Sequence, residues 1–177
     1  GFSRTTNGKR IGVFAMQQGP GTESSFPGAA QAFSDNVPIL LLPGGEPSSR
    51  SFIQPGFSAV DNYRNVTKWL AQIDAADRIP ELMRRAFYQL RSGANGPVLL
   101  EVARDVWTDE LGVDLDYTPV KGNRSGPDPH DVAEVAGVLL KAKNLVIHAG
   151  QGVMYAEATD ELETLAELLQ APVMTTM

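Results

Sequence analysis

Short apolar runs, each stopped by glycine or proline and separated by stretches of helical spacing, constrain this chain most. Residues 11–16, 38–42 and 97–103 each read as a buried strand. Between them, residues 24–33 look helical and Ala-rich, although Pro27 falls inside the stretch. Pro43, Gly44 and Gly45 are expected to stop the second strand, and residues 43–58 form a long loop of Gly, Pro and Ser. The clearest helix spans 79–92. There Ile79, Leu82, Met83, Ala86, Phe87 and Leu90 make one apolar stripe, with Pro80 in the first turn and Gly93 beyond the end. Strands that are apolar on both faces, alternating with helices, call for a parallel sheet covered on both sides. The expected fold class is therefore α/β, a three-layer αβα sandwich.

From Asp105 to Pro129 no apolar period is sustained. Breakers cluster at 122–129, and residues 106–129 read as an interdomain linker. A helix follows through Val132, Val135, Ala136, Leu139 and Leu140. A strand at 145–147, a helix through Leu162, Leu165, Ala166 and Leu169, and a strand at 172–174 complete a βαβ unit. Two strands cannot close an α/β domain, because both sheet faces need cover. The chain is therefore expected to be an internal piece of a larger protein, or a small protein completed by a partner chain. The opening Gly1, in place of an initiator methionine, fits the first of these.

Composition excludes several classes. Lys plus Arg is 15 and Asp plus Glu is 21, a net charge of −6, which argues against nucleic acid or an anionic membrane as partner. There is no cysteine, so disulfides, thiolate metal sites and a cysteine nucleophile are out. His130 and His148 are too few for a His-rich metal site. No apolar run suits a membrane span, and the first residues lack a signal-peptide core. A soluble, cytoplasmic protein is the expectation.

Few residues stand out chemically. Gly19-Pro20-Gly21 lies between a strand and a helix, where open parallel sheets bind ligands and helix N-termini offer free N–H groups. As a dinucleotide fingerprint it fails, since Ser24 holds the third glycine's place, and a plain structural turn is the competing reading. Gly150-Gln151-Gly152 is a similar partial turn, with Tyr155 in the third place. His148, at a strand end, reads as a packed, hydrogen-bonded residue more readily than as a base. Glu23 and Glu46 are the acids nearest the two loops, and both read as solvated surface groups before proton-transfer groups. Walker loop and nucleophile elbow are both missing.

The order of motifs carries a resemblance. Gly1-Phe2-Ser3-Arg4 is followed by Gly8-Lys9, a strand, Gly19-Pro20-Gly21, an Ala-rich helix, and Asn36-Val37-Pro38 leading into an apolar strand. Further on come Phe57-Ser58-Ala59-Val60-Asp61, Val66-Thr67-Lys68-Trp69, Gly96-Pro97-Val98, Glu101-Val102 and Arg104-Asp105-Val106. After the linker stand Leu145 to Val153, Leu165-Ala166-Glu167 and Ala171-Pro172-Val173. Taken together, the chain resembles thiamine-diphosphate enzymes of the acetolactate synthase type.

The resemblance implies a division of the chain. Residues 1–105 would be the C-terminal part of the pyrimidine-binding domain, 106–129 a linker, and 130–177 the first βαβ of a Rossmann-like central domain, incomplete. It implies thiamine diphosphate with Mg2+ in the whole enzyme, and FAD at the central domain in some relatives; Gly150 does not decide that. It carries over Pro20 and Gly21 as residues at the cofactor's aminopyrimidine. Ser24 stands where the family often has Asn, and Gln54 matches a loop glutamine near the active site, although Phe52-Ile53-Gln54-Pro55 departs from the usual spacing. No catalytic residue falls within the chain, because the family's glutamate lies upstream of Gly1, and no metal ligand does, because the Gly-Asp-Gly motif lies beyond Met177. The implied chemistry is cleavage or ligation of 2-oxo acids or aldehydes at the thiazolium carbon. The active site would form between subunits of a homodimer or tetramer, and the segment is not expected to be active alone. Two other readings stand beside this one: a non-catalytic subunit or interaction module with the same fold, and a Rossmann-type nucleotide binder resting on the two glycine turns.

Overall fold

A computed structural model describes residues 1–51, 53–112 and 117–176. Phe52, positions 113–116 and Met177 lie outside the described residues. The chain divides into two compact units, Gly1–Arg124 and Ser125–Met177.

The first unit opens with helix α1 (Phe2–Thr5), followed by strand β1 (Gly12–Met16), helix α2 (Pro20–Ser34) and strand β2 (Ile39–Gly45). Helix α3 (Ala59–Asn62), strand β3 (Trp69–Ile73), helix α4 (Ile79–Arg91) and strand β4 (Val98–Ala103) complete it. The four strands are parallel, in the order β1-β2-β4-β3. The chain thus moves outward from β1 to β3 and returns to β4, and right-handed crossovers of opposite direction put their helices on opposite faces. Two cores result. Leu40, Val98, Leu100 and Val102 pack with Leu82, Ala86 and Leu90 of α4. Leu41 and Leu99, one residue out of phase, pack with Ala29 of α2 and with Ala59 and Tyr63. All six residues of β4 are buried, as its central place in a doubly covered sheet requires. This is the α/β sandwich expected from the sequence.

Three elements differ from the expectation. Strand β2 runs through Pro43 to Gly45 instead of stopping at Pro43. Proline has no N–H to donate, and the β2–β4 register skips Leu42 and Pro43 before resuming at Gly44 opposite Val102. Helix α2 begins at Pro20, not near Ser24, because Gly19 caps it at φ 66° and Pro20 occupies the first turn, where its missing N–H costs nothing. Strand β3 has no counterpart in the sequence reading. Its polar Gln72 breaks the apolar run, and its ladder to β4 holds it in place.

Residues after β4 fold back on α4. Val106 is buried, Arg91 donates to the Val120 carbonyl at 2.8 Å, and the Asn123 N–H donates to Ser92 Oγ at 3.0 Å. Half-buried Lys68, its ammonium pushed to a lower pKa by desolvation, donates to the Gln89 and Ser92 carbonyls at the end of the same helix. Gly122 lies so close that an added Cβ would stand 2.3 Å from the Arg91 carbonyl oxygen. Gly122→Ala should therefore release residues 120–123 from α4, read as faster cleavage of this segment in limited proteolysis while the sheet core stays resistant.

The second unit contains α5 (Pro129–Leu139), β5 (Ile147–Ala149), α6 (Gly152–Ala156), α7 (Thr159–Leu169) and β6 (Val173–Thr175), with β5 and β6 parallel. Asp128 caps α5 by accepting the His130 N–H at 2.8 Å. Of its described apolar residues only Ala149 and Ala171 are buried, whereas Leu140 and Leu168 are 75% and 74% exposed. A βαβ on its own does not close a core. Among the described residues no helix is long and apolar enough to cross a membrane.

Candidate functional site

In the first unit the carboxyl ends of β1, β2 and β4 open on a cleft of about 690 Å³. Met16, Gly19, Pro20, Leu42, Gly44 and Gly45 supply its small and apolar lining. Gln17, Gln18, Arg104 and Trp107 supply its polar groups and an exposed indole. This is where an open parallel sheet offers ligands a crevice.

The turn after β1 is fixed from below. Thr22, fully buried, donates both its N–H, at 3.0 Å, and its hydroxyl, at 2.9 Å, to the Gln17 carbonyl. Its own carbonyl accepts from the buried Tyr63 hydroxyl, which also meets Ser25 Oγ at 3.0 Å. The Tyr63 ring stands edge-on to Phe26 at 5.2 Å, and burial pushes its hydroxyl pKa up, partly offset by Ser25. Gly21 lies against Gln17, where an added Cβ would come within 2.9 Å of Gln17 Cβ. Pro20 is thereby held at the cleft rim with its ring exposed.

A chain of polar contacts crosses the floor. Arg104 Nη2 donates to Gln18 Oε1 at 2.7 Å, and Gln18 Nε2 donates to Glu46 Oε1 at 2.6 Å. Glu46, weighed from sequence as a solvated acid, is half-buried and hydrogen-bonded, because β2 continues to Gly45 and leaves it at the strand end beside Gln18. Glu23 is exposed. Asp105 accepts from Ser48 N–H at 2.9 Å and from Ser48 Oγ, which hold its carboxyl below the usual range.

Glu101 lies on β4 and is only 3% exposed. Its two oxygens accept the Ala59 and Val60 N–H groups at 3.1 and 3.2 Å. Burial pushes its carboxyl up; the two backbone bonds oppose the rise, and the charges of Asp61 and Glu46 add to it. With Glu46, Arg50, Gln54 and Asp61 it lines a second pocket of about 110 Å³.

Of the residues carried over from the resemblance, Pro20 and Gly21 stand together at the 690 Å³ cleft, Pro20 in its lining and Gly21 beneath the turn. Ser24 is one helical turn further on, exposed and outside the cleft lining. Gln54 lines the smaller pocket, its Oε1 accepting the Gly56 N–H at 3.4 Å. Sequence reasoning assigned no role to Gln18, Glu101, Arg104 or Trp107. A lone glutamate inside an apolar run was a usable signal for Glu101, since a buried carboxylate must be paired. In the second unit His148 is exposed on β5, not packed, because the two-stranded sheet leaves that face open. Among the described residues the one cluster of metal-ligating types, His130, Asp131 and Glu134, is exposed at the start of α5.

The fold and cleft define a class, an open parallel α/β domain with a ligand crevice at its strand ends. Comparison with known proteins narrows that class. Residues 1–72 match the family described as thiamine pyrophosphate enzyme, N-terminal TPP binding domain, and residues 132–177 match its central domain. The chain belongs to the thiamine pyrophosphate enzyme family. It is 32% identical over 181 residues to a glyoxylate carboligase of Escherichia coli O157:H7, covering all of this chain and 30% of the relative. It is 31% identical over 186 residues to a probable acetolactate synthase large subunit of Methanocaldococcus jannaschii, again covering all of this chain and 31% of the relative. Among solved structures, benzoylformate decarboxylase from Polynucleobacter necessarius superposes with a TM-score of 0.84 at 21% identity, over 98% of this chain and 33% of the other. The chain thus spans about a third of the length of these relatives.

Proposed function

We propose that these residues form part of a thiamine-diphosphate-dependent lyase or carboligase acting on 2-oxo acids or aldehydes. In this reading residues 1–105 are the C-terminal part of the pyrimidine-binding domain, 106–129 a linker, and 130–177 the opening of the central domain. The observation that carries it is the 17–21 turn at the strand ends, inside the stretch that matches a TPP binding domain. The residues present fit one half of the cofactor. Pro20, Met16 and Leu42 offer an apolar wall to the flat face of an aminopyrimidine, and the turn's backbone offers polar groups to its edge. Gly21 and Thr22 hold that wall in place. The cleft lining holds no carboxylate, so it does not suit Mg2+, nor the diphosphate in so far as Mg2+ carries it. Those groups would be held elsewhere in the assembly, with the site completed between subunits of a homodimer or tetramer. Bound thiamine diphosphate would supply the carbon nucleophile and electron sink. The proposal includes a cytoplasmic location and leaves FAD outside it.

The relatives' names support the substrate class without fixing a member of it. The full-length protein, given thiamine diphosphate and Mg2+, should release carbon dioxide from pyruvate, glyoxylate or benzoylformate. No turnover of any of the three, in a protein shown to be loaded with cofactor, would favour the non-catalytic subunit instead.

A further inference from the structure

Arg104 is the one charged side chain among the residues lining the 690 Å³ cleft. It is exposed, and among the described residues no carboxylate pairs with it. Its chain neighbour Asp105 is occupied by Ser48. Its link to Glu46 is indirect, through the Gln18 amide. A guanidinium has five N–H donors in a planar fork, and one bond, to Gln18, is in use. That bond holds the cation over the turn carrying Pro20. The rest of the chain is acidic, with a net charge of −6, so a lone cation here is not part of a general basic surface. A planar fork with free donors in a recess is suited to a carboxylate or phosphate, which it can bind through two parallel bonds.

Resting on the function proposed above, we infer that Arg104 receives the carboxylate of the 2-oxo acid substrate. Trp107, in the same lining, gives the substrate's hydrocarbon part a flat surface to lie against. The anion of the cofactor's own diphosphate is the other source of the same chemistry, and the test separates the two.

In the full-length holoenzyme, Arg104→Gln should raise the KM for the best of the three 2-oxo acids about tenfold, with kcat within about twofold, as loss of one exposed charge-assisted contact implies. Arg104→Lys, which keeps the charge and loses the fork, should fall between wild type and Arg104→Gln. Calorimetric binding of oxamate, an unreactive carboxylate analogue, should weaken in parallel, and the Kd for thiamine diphosphate should stay at its wild-type value. An unchanged KM and unchanged oxamate affinity would overturn the assignment. A weakened cofactor with unchanged oxamate affinity would also overturn it, in favour of the diphosphate. A wild-type protein that binds no thiamine diphosphate would overturn the parent reading and this one together, whereas an Arg104→Gln loss of affinity for oxamate and thiamine diphosphate alike would overturn the assignment of Arg104 alone and leave the parent reading intact.

Discussion

Glu101→Leu should destabilise the first unit by about 2–5 kcal/mol, more than any other single change considered, because two backbone N–H groups lose their acceptor at once. Ala59 is fully buried and Val60 half-buried, so water cannot replace the carboxylate without opening the fold. The cost is felt locally as well. Glu101 fixes the start of α3, which Ser58 caps by accepting the Asp61 N–H at 3.1 Å, and α3 leads to Tyr63 beneath the turn. Glu101→Gln is the informative companion. One amide oxygen still accepts, but an NH2 group now faces an N–H, so a loss of about 1–3 kcal/mol is expected.

The two variants also differ from wild type in pH dependence. A carboxyl whose folded pKa is raised binds its proton more tightly folded than unfolded. Its stabilising contribution is complete below the ordinary glutamate range, about 4 to 5, and is lost as pH rises through the folded value. Urea midpoints measured across that window should fall with rising pH in wild type by an increment absent from Glu101→Gln. Parallel curves for the two proteins would show that Glu101 ionises folded as it does unfolded.

Gly21→Val is the second large effect, and it bears on ligand binding more than on folding. The new Cβ would stand 2.9 Å from Gln17 Cβ, an atom fixed by the backbone, so the turn itself must move. Moving it breaks the two Thr22 bonds to the Gln17 carbonyl and swings Pro20 off the cleft rim. Overpacking of this kind costs about 1–3 kcal/mol. Affinity for thiamine diphosphate should fall by more than tenfold, since a wall displaced by an ångström no longer meets the ring. Ser24→Ala, one turn along the same helix and outside the cleft lining, should leave that affinity unchanged. Equal losses in both variants would mean that the helix as a whole, and not the turn, sets binding.

Much of the first unit was legible because its strands are covered on both faces. Residues 97–103 form an apolar run broken only by Glu101, and β4, like β2, contributes side chains to both cores. The stripe from Ile79 to Leu90 likewise announced α4. What stayed hidden depends on neighbours. Strand β3 carries Gln72, and its identity comes from pairing with β4, a partner distant in sequence. Pro43 and Gly44 look like a stop until β1 and β4 are seen holding β2 on both sides. The turn at Gly19 and Pro20 was visible as a motif, but Arg104 joins it from 86 residues away. No local pattern announces such a pair. Gln54 shows the opposite case, a residue picked out by resemblance that lines a pocket other than the one holding Pro20.

The most direct measurement is a crystal structure of the full-length protein with thiamine diphosphate and Mg2+. The account predicts the aminopyrimidine ring against Pro20, in the cleft between the 17–20 turn and Leu42. A ring bound away from this cleft, with Pro20 still facing solvent, would contradict it.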